Sequence, residues 1–327
     1  MDAILLREAG GLGDILQVGS AVPMLTRAGY RVHLYTMLDA SIVALAKLIP
    51  GIAHVHTLHM TTTMRRARGA INYWAFPYLT SAMVHVRGCS RLPNRNRLFD
   101  MFCPAWENER DDLRSGQLPQ MSRAQAFVRA IGHAPGSAKP TRLRVPHDPF
   151  PGVPNGYVVI SPWSRDPARS VGAGVYSIIE AIVRLAPVVV LDYSTAADHK
   201  HGMQNVWWYP QDFANPDRAQ AVHDTVRLVA YAAAVVTVDT FALHVAGSFA
   251  KPVVLLEGPT VATSVAKHYS RVVACPAALD DCKGCYYMME RGFVRSCRDR
   301  GCRVIDSATP GDVVASLEQV CSSCVSS

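Results

Sequence analysis

Short apolar runs alternate along the chain with longer stretches whose apolar residues recur at helical spacing. Ala3 to Leu6 is unbroken apolar, the pattern of a buried parallel strand. Gly10-Gly11-Leu12-Gly13-Asp14 interrupts it, and Ile15 to Thr26 then follows a helical period. Arg31 to Thr36 predicts a second strand, followed by a helix through Leu48. Residues 60–120 show no clean period. Arg65, Arg66 and Arg68 and the stretch from Arg87 through Arg97 are basic, and Asn72 to Tyr78 is aromatic, so loops and irregular helices are expected there. Pro135, Pro140, Pro146, Pro149, Pro151 and Pro154 then crowd a segment that cannot continue a helix or a central strand, which predicts a linker over 135–154.

Beyond the linker the rhythm restarts. Tyr157 to Ile160, Val188 to Leu191, Val235 to Val238 and Pro252 to Leu256 read as strands. Val175 to Leu185, Ala219 to Ala234 and Thr309 to Val320 read as helices, the last with Pro310 at its start, where proline is tolerated. Strands alternating with helices predict parallel α/β sheets, here two Rossmann-like domains facing across a cleft, with ligands at the carboxyl ends of the strands. The expected division is 1–150 for the first domain, 155–306 for the second with a cysteine-rich loop at 275–302, and 307–327 for a terminal helix and tail.

Composition narrows the class. The chain has 327 residues, 49% of them hydrophobic, with 33 Lys+Arg against 26 Asp+Glu for a formal charge of +7. Such apolar content excludes intrinsic disorder, and no repeat points to a solenoid. The most apolar stretch, Leu228 to Leu256, is broken by Asp239, His244 and Lys251, and so falls short of a membrane span. The amino end lacks the basic-then-apolar order of a signal peptide, so a cytoplasmic globular protein is expected. The positive excess suits a phosphate-bearing ligand, an anionic membrane face or nucleic acid.

Two constellations carry chemistry. The glycines before Ile15 let the backbone approach a ligand closely, and the helix amino terminus favours an anion. Their spacing is not the G-x-G-x-x-G dinucleotide fingerprint. Asp14 reads either as a first-turn helix carboxylate or as a general base facing the cleft. In the second constellation a strand ends in Asp239-Thr240, a helix starts, and His244 lies one turn inside it. Thr240, His244 and the helix terminus together fit a pyrophosphate, against the plainer reading of a capped helix with a satisfied histidine.

The run from Asp239 to Thr260 resembles the D-T-G-x-x-H-x-A…K-P-x-x-x-x-F-G-P-T signature of the heptosyltransferases, glycosyltransferase family 9. Gly13-Asp14 followed by Pro23-Met24-Leu25 is similar to the family's amino-terminal G-D-x-x-x-x-x-P-x-L. The resemblance implies a GT-B fold and metal-independent, inverting transfer from a nucleotide-sugar, typically ADP-heptose. The acceptor would lie in the first half and the donor in the second. It implies Asp14 as the base, Thr240 and His244 as donor-diphosphate ligands, and Asp239 as support for their turn. Gly13, Gly258 and Thr260 fall in the matched motifs on the donor side. Arg165 and Arg169 stand where the family has a basic residue for the departing diphosphate, and an inverting transfer without metal needs such a charge. Two departures touch the donor motif: Phe241 replaces the family glycine, and Glu257 replaces the aromatic residue before Gly-Pro-Thr.

Seven of the nine cysteines crowd residues 275–327. Cys282-x-x-Cys285 with Cys297 and Cys302 approximates a four-thiolate site for structural zinc or iron, free buried cysteines being the plain alternative. The autotransporter branch of the family resembles this chain in having a four-cysteine iron-binding finger. The basic patches at 65–68 and 87–97 read as solvated surface or as a face for an anionic acceptor. The acceptors left open are a lipopolysaccharide core sugar, a protein serine and a modified base in DNA. Peripheral contact with an anionic membrane is also left open. An inactive nucleotide-sugar-binding protein is the rival from a different class.

Overall fold

The structure, a computed structural model, describes residues 2–7, 11–37, 39–58, 97–100, 119–130, 133–144, 147–164, 169–192, 202–210, 217–277, 283–285 and 302–322. Strands β1 (Asp2–Arg7), β2 (Arg31–Met37), β3 (Ile52–Leu58) and β4 (Arg97–Asp100) form one parallel sheet in the order β3-β2-β1-β4. Strands β5 (Val158–Ser161), β6 (Val188–Asp192), β7 (Val206–Pro210), β8 (Ala234–Thr237), β9 (Val253–Leu256) and β10 (Val272–Cys275) form a second, in the order β10-β9-β8-β5-β6-β7. In each sheet the winding reverses beside the first strand, between β1 and β4 and between β5 and β8. These are the switch points where doubly wound sheets open a crevice.

Helices α1 (Leu12–Gly19), α2 (Val22–Arg27), α3 (Ala40–Lys47) and α4 (Arg123–Ala130) belong to the first half. Helices α5 (Val175–Val183), α6 (Arg218–Tyr231), α7 (Phe241–Ser248), α8 (Ala262–Val265), α9 (Arg303–Asp306) and α10 (Pro310–Ser322) belong to the second. Several carry local start signals. Asp39 accepts from the Ser41 N–H at the head of α3, Ser122 and Gln125 exchange bonds at the head of α4, and Thr309 and Asp312 do so at α10.

The structure corrects the helix expected over Ile15 to Thr26, which divides into α1 and α2. Pro23 has no N–H to return to the preceding turn, and its ring disfavours the carbonyl four residues back. Within 60–120, where loops and irregular helices are expected, residues 97–100 form a parallel strand against β1. Strands β3, β7 and β10 join those the sequence pattern points to. In β3, His54 and His56 fall on one face and obscure its apolar alternation.

Every position of β5, β6, β8 and β9 is buried, as parallel strands covered on both faces require. Alternate residues serve opposite faces. Val159, Val189, Val235 and Val253 pack with Val222 and Val226 of α6 and Leu243 of α7. Val158, Val188, Val236 and Val254 pack with Ile178 of α5 and Val313 of α10. The first of these cores continues without a break into Ile15 and Leu16 of α1 and Leu45 of α3. The two halves therefore share one apolar seam, with α1 against α7 and α3 against α6. The ion pair between Arg218 and Asp39, 3.5 Å, crosses the same seam.

The segment between α4 and β5 is tied to both halves. Thr141 Oγ1 donates to the Leu16 carbonyl, and Arg227 Nε donates to the Asp148 carbonyl at 2.6 Å. Among the described residues no helix is long and apolar enough to cross a membrane.

Candidate active site

Ser161 and Thr237 end adjacent strands in register, at the carboxyl side of the switch point between β5 and β8. Their hydroxyls and that of Thr240 form a buried chain. Ser161 Oγ lies 3.3 Å from Thr240 Oγ1, which lies 3.0 Å from Thr237 Oγ1, and Thr237 donates to the Val238 carbonyl at 2.8 Å. Thr240 has the extended backbone of an N-cap, yet its hydroxyl does not cap α7. The first N–H groups of α7 therefore depend on partners beyond that side chain, and the helix dipole favours an anionic one.

Asp239 sits beside this chain, 6% exposed. Arg169 Nη1 donates to it at 3.2 Å, and His244 Nε2 is 3.7 Å away. Burial alone would raise its carboxyl. The His244 imidazole and the charges of Arg169 and, from α4, Arg123 outweigh that and hold it well below the usual carboxylate range. Asp239 is thus a fixed negative charge that organises cations around the turn.

His244 is 2% exposed. Its Nδ1 is 2.8 Å from the Tyr269 hydroxyl, and its Nε2 is 3.4 Å from the Gln17 amide nitrogen of α1. Burial, followed by the Asp239 charge, pushes the Tyr269 phenol far above its ordinary range, so it keeps its proton. His268 packs against the Tyr269 ring at 4.0 Å between centroids, and burial with the neighbouring His244 lowers it to about 3.

Gly13 lies directly on the His244 ring. A Cβ built there would be 2.4 Å from His244 Cδ2 and 2.9 Å from Nε2, so the helix approaches this closely only with glycine. Asp14 follows it, partly exposed, and its Oδ2 accepts from the Gly11 N–H at 2.7 Å. The plain reading of Asp14 as a first-turn carboxylate describes this bond. It also aims the side chain back at the start of α1, next to the contact with α7.

Gly258 and Thr260 follow β9 at the same end of the sheet, both buried. A Cβ on Gly258 would lie 2.5 Å from Ile305 Cγ1 and 3.1 Å from Cys302 Sγ, so close packing requires this glycine too. Glu257 is buried. It accepts from the Ala262 N–H at 2.6 Å and pairs with Lys283, so the departure at 257 serves to dock the cysteine-rich segment. Gly284 N–H bonds the Gly258 carbonyl at 2.9 Å. Phe241, the other departure, is 6% exposed and belongs to the shared core.

The structure thus gathers Gly13, Arg169, Asp239, Thr240 and His244 around the head of α7. Arg165, Cys282 and Cys297, and the patches at 65–68 and 87–96, lie outside the described residues. Cys302 is buried and Cys285 partly so, and among the described residues no group of three metal-ligating side chains assembles. Sequence reasoning missed Ser161, Thr237, Gln17, Arg123 and Tyr269 as site residues. Gln17 falls four residues from Gly13 on the same helix face, a readable signal. Tyr269 is far along the chain from His244 and has none. A groove of about 430 Å³ lies elsewhere, lined by Leu48, Arg144, His147 and, from α6, His223 and Arg227.

No family profile and no curated protein sequence matches the chain. Solved structures do. The E. coli ADP-heptose lipopolysaccharide heptosyltransferase II aligns over 99% of this chain and 100% of its own at a TM-score of 0.63 and 14% identity. E. coli heptosyltransferase WaaC with ADP aligns over 98% and 100%, at 0.60 and 14%. TibC, an iron-containing dodecameric glycosyltransferase from enterotoxigenic E. coli, aligns over 98% of this chain and 76% of its own, at 0.63 and 15%. At such identities the likeness establishes the fold, which is the GT-B arrangement of glycosyltransferases.

Proposed function

We propose that the chain is an inverting glycosyltransferase that moves heptose from ADP-heptose to an acceptor hydroxyl, on a lipopolysaccharide core or a protein serine. The observation that carries this reading is the meeting of α1 and α7. Gly13 packs on His244, one turn inside α7, and Asp14 is the next residue of α1. The fold is that of enzymes described with ADP or ADP-heptose.

In this reading the second half, 155–306, holds the donor and the first, 1–150, holds the acceptor. Thr240, the N–H groups of α7, His244, Gly258 and Thr260 take the nucleotide diphosphate, and Arg169 with Arg165 neutralises it as it leaves. Asp14 removes the proton of the acceptor hydroxyl. The acceptor oxygen bonds the sugar's anomeric carbon as the bond to the diphosphate breaks, and the nucleoside diphosphate departs with the bonding pair. No step asks for a metal, because the charge on the leaving group is met by side chains.

A structural zinc or iron belongs to the same proposal, held by Cys282, Cys285, Cys297 and Cys302. One observation supports it: the segments bearing Cys285 and Cys302 converge on the Gly258 turn. When bound, the metal would staple the loop. X-ray fluorescence of purified protein tests it, and an empty spectrum refutes it.

Transfer is tested by incubating the protein with ADP-heptose and lipopolysaccharide core, protein or DNA acceptors, then weighing the acceptors by mass spectrometry. A heptose increment on glycan or protein is expected. An increment on DNA instead replaces the acceptor assignment. Absence of both transfer and donor hydrolysis overturns the enzymatic reading in favour of a binding protein.

A further inference from the structure

His244 is held from both sides of the seam. From the second half, Tyr269 reaches Nδ1 at 2.8 Å, and from the first, Gln17 lies 3.4 Å from Nε2. The ring edge is covered by Gly13, and Asp239 Oδ1 is 3.7 Å from Nε2. Buried ring nitrogens call for hydrogen-bond partners, and here those partners come from both halves of the chain.

The chemistry assigns one consistent arrangement. Asp239 keeps its negative charge and can only accept, so the His244 proton belongs on Nε2, facing it. Tyr269 keeps its phenolic proton and donates it to Nδ1. Gln17 completes the set. Its Oε1 is buried without a hydrogen-bond partner, and the amide turned end for end places that oxygen where Nε2–H can reach it.

We infer that Tyr269 and Gln17 are positioning residues that fix the His244 ring for the donor diphosphate, and that Gln17 couples this setting to the helix bearing Asp14. The inference rests on the proposed donor site. Tyr269 lies outside the sequence motifs, and Gln17 falls at an unspecified position between Asp14 and Pro23. Tyr269 acts only through His244: removing its hydroxyl leaves the ring in place but frees the imidazole to rotate. Gln17 acts through the same atom from the other half, so its effect also depends on His244.

The test is a double-mutant cycle read by binding of ADP alone, using calorimetry on the full chain. Tyr269→Phe and Gln17→Leu should each weaken ADP about tenfold, with thermal unfolding of Tyr269→Phe within a few degrees of the parent. In a His244→Ala background, or His244→Asn where alanine does not fold, each should change affinity less than twofold. Equal weakening with and without His244 overturns the inference, because a merely structural role would act in both backgrounds. So does unchanged affinity in the single variants. Failure of the parent protein to bind ADP removes the donor-site reading itself and the inference with it, a result distinct from the other two.

Discussion

Gly13 and His244 touch across the seam between the two sheets, and a side chain as small as a methyl group at position 13 would lie 2.4 Å from His244 Cδ2. The group it meets is the imidazole, and that is tied to Tyr269 at 2.8 Å. Substituting Gly13 therefore moves either α1 or the histidine.

Gly13→Ala should cost about 1–3 kcal/mol in denaturant unfolding, the usual range for overpacking. Turnover should fall at least tenfold under conditions where the variant is fully folded. Full turnover in a folded Gly13→Ala protein would show that the contact is not needed for the site.

Asp14 separates two roles by substitution. The side-chain amide of an Asp14→Asn variant still offers an oxygen to the Gly11 N–H, a bond of 2.7 Å in the parent, but cannot serve as a base. Asp14→Asn should unfold close to the parent, whereas Asp14→Ala should lose about 1 kcal/mol with the bond. Transfer should drop by roughly 10²-fold or more in both. Near-normal turnover of Asp14→Asn would remove the base from its assigned position while leaving the fold untouched.

His268 predicts an acid-side loss of stability. Its folded pKa is lowered to about 3 from 6.5, so the unfolded chain binds the extra proton between those values. The stability is fully present above pH 6.5 and is lost as pH falls toward 3, amounting to about 2 kcal/mol at pH 5 by linkage. Asp239, also lowered in the fold, adds its loss only below its unfolded value of 3.8. His268→Phe should flatten the melting temperature between about pH 7 and pH 5, since it also removes two buried ring nitrogens that lack hydrogen-bond partners. An unchanged slope would place the titrating group elsewhere.

Gly258→Ala should destabilise the chain by about 1–3 kcal/mol through the 2.5 Å approach to Ile305 Cγ1. Ile305→Ala creates the missing space, so the double variant should recover part of that loss relative to Ile305→Ala alone. Simple addition of the two effects in unfolding measurements would contradict the packing assigned to this turn.

Much of the fold was legible because parallel strands buried on both faces leave a local mark. Val158 to Ile160, Val188 to Leu191 and Val253 to Leu256 are apolar runs, and they lie in strands. The split at Pro23 was missed because the apolar period runs through the proline while the hydrogen-bond ladder cannot. β7 and β10 lie at sheet edges, where partial exposure weakens the apolar signal.

The sequence by itself determined that two parallel α/β halves form and that Asp239-Thr240 and His244 start and line one helix. Period, caps and strand ends are properties of neighbouring residues. Only the tertiary structure decided which groups answer one another across the chain: Gln17 and Tyr269 on the two sides of His244, Arg123 and Arg169 toward Asp239, and Cys302 over Gly258. The Gln17 pairing depends on how α1 seats on α7 through a shared apolar core, and those of Tyr269, Arg169 and Cys302 on how the second half packs on itself. Burial is non-directional, so no local pattern specifies which polar atoms it brings within hydrogen-bond reach.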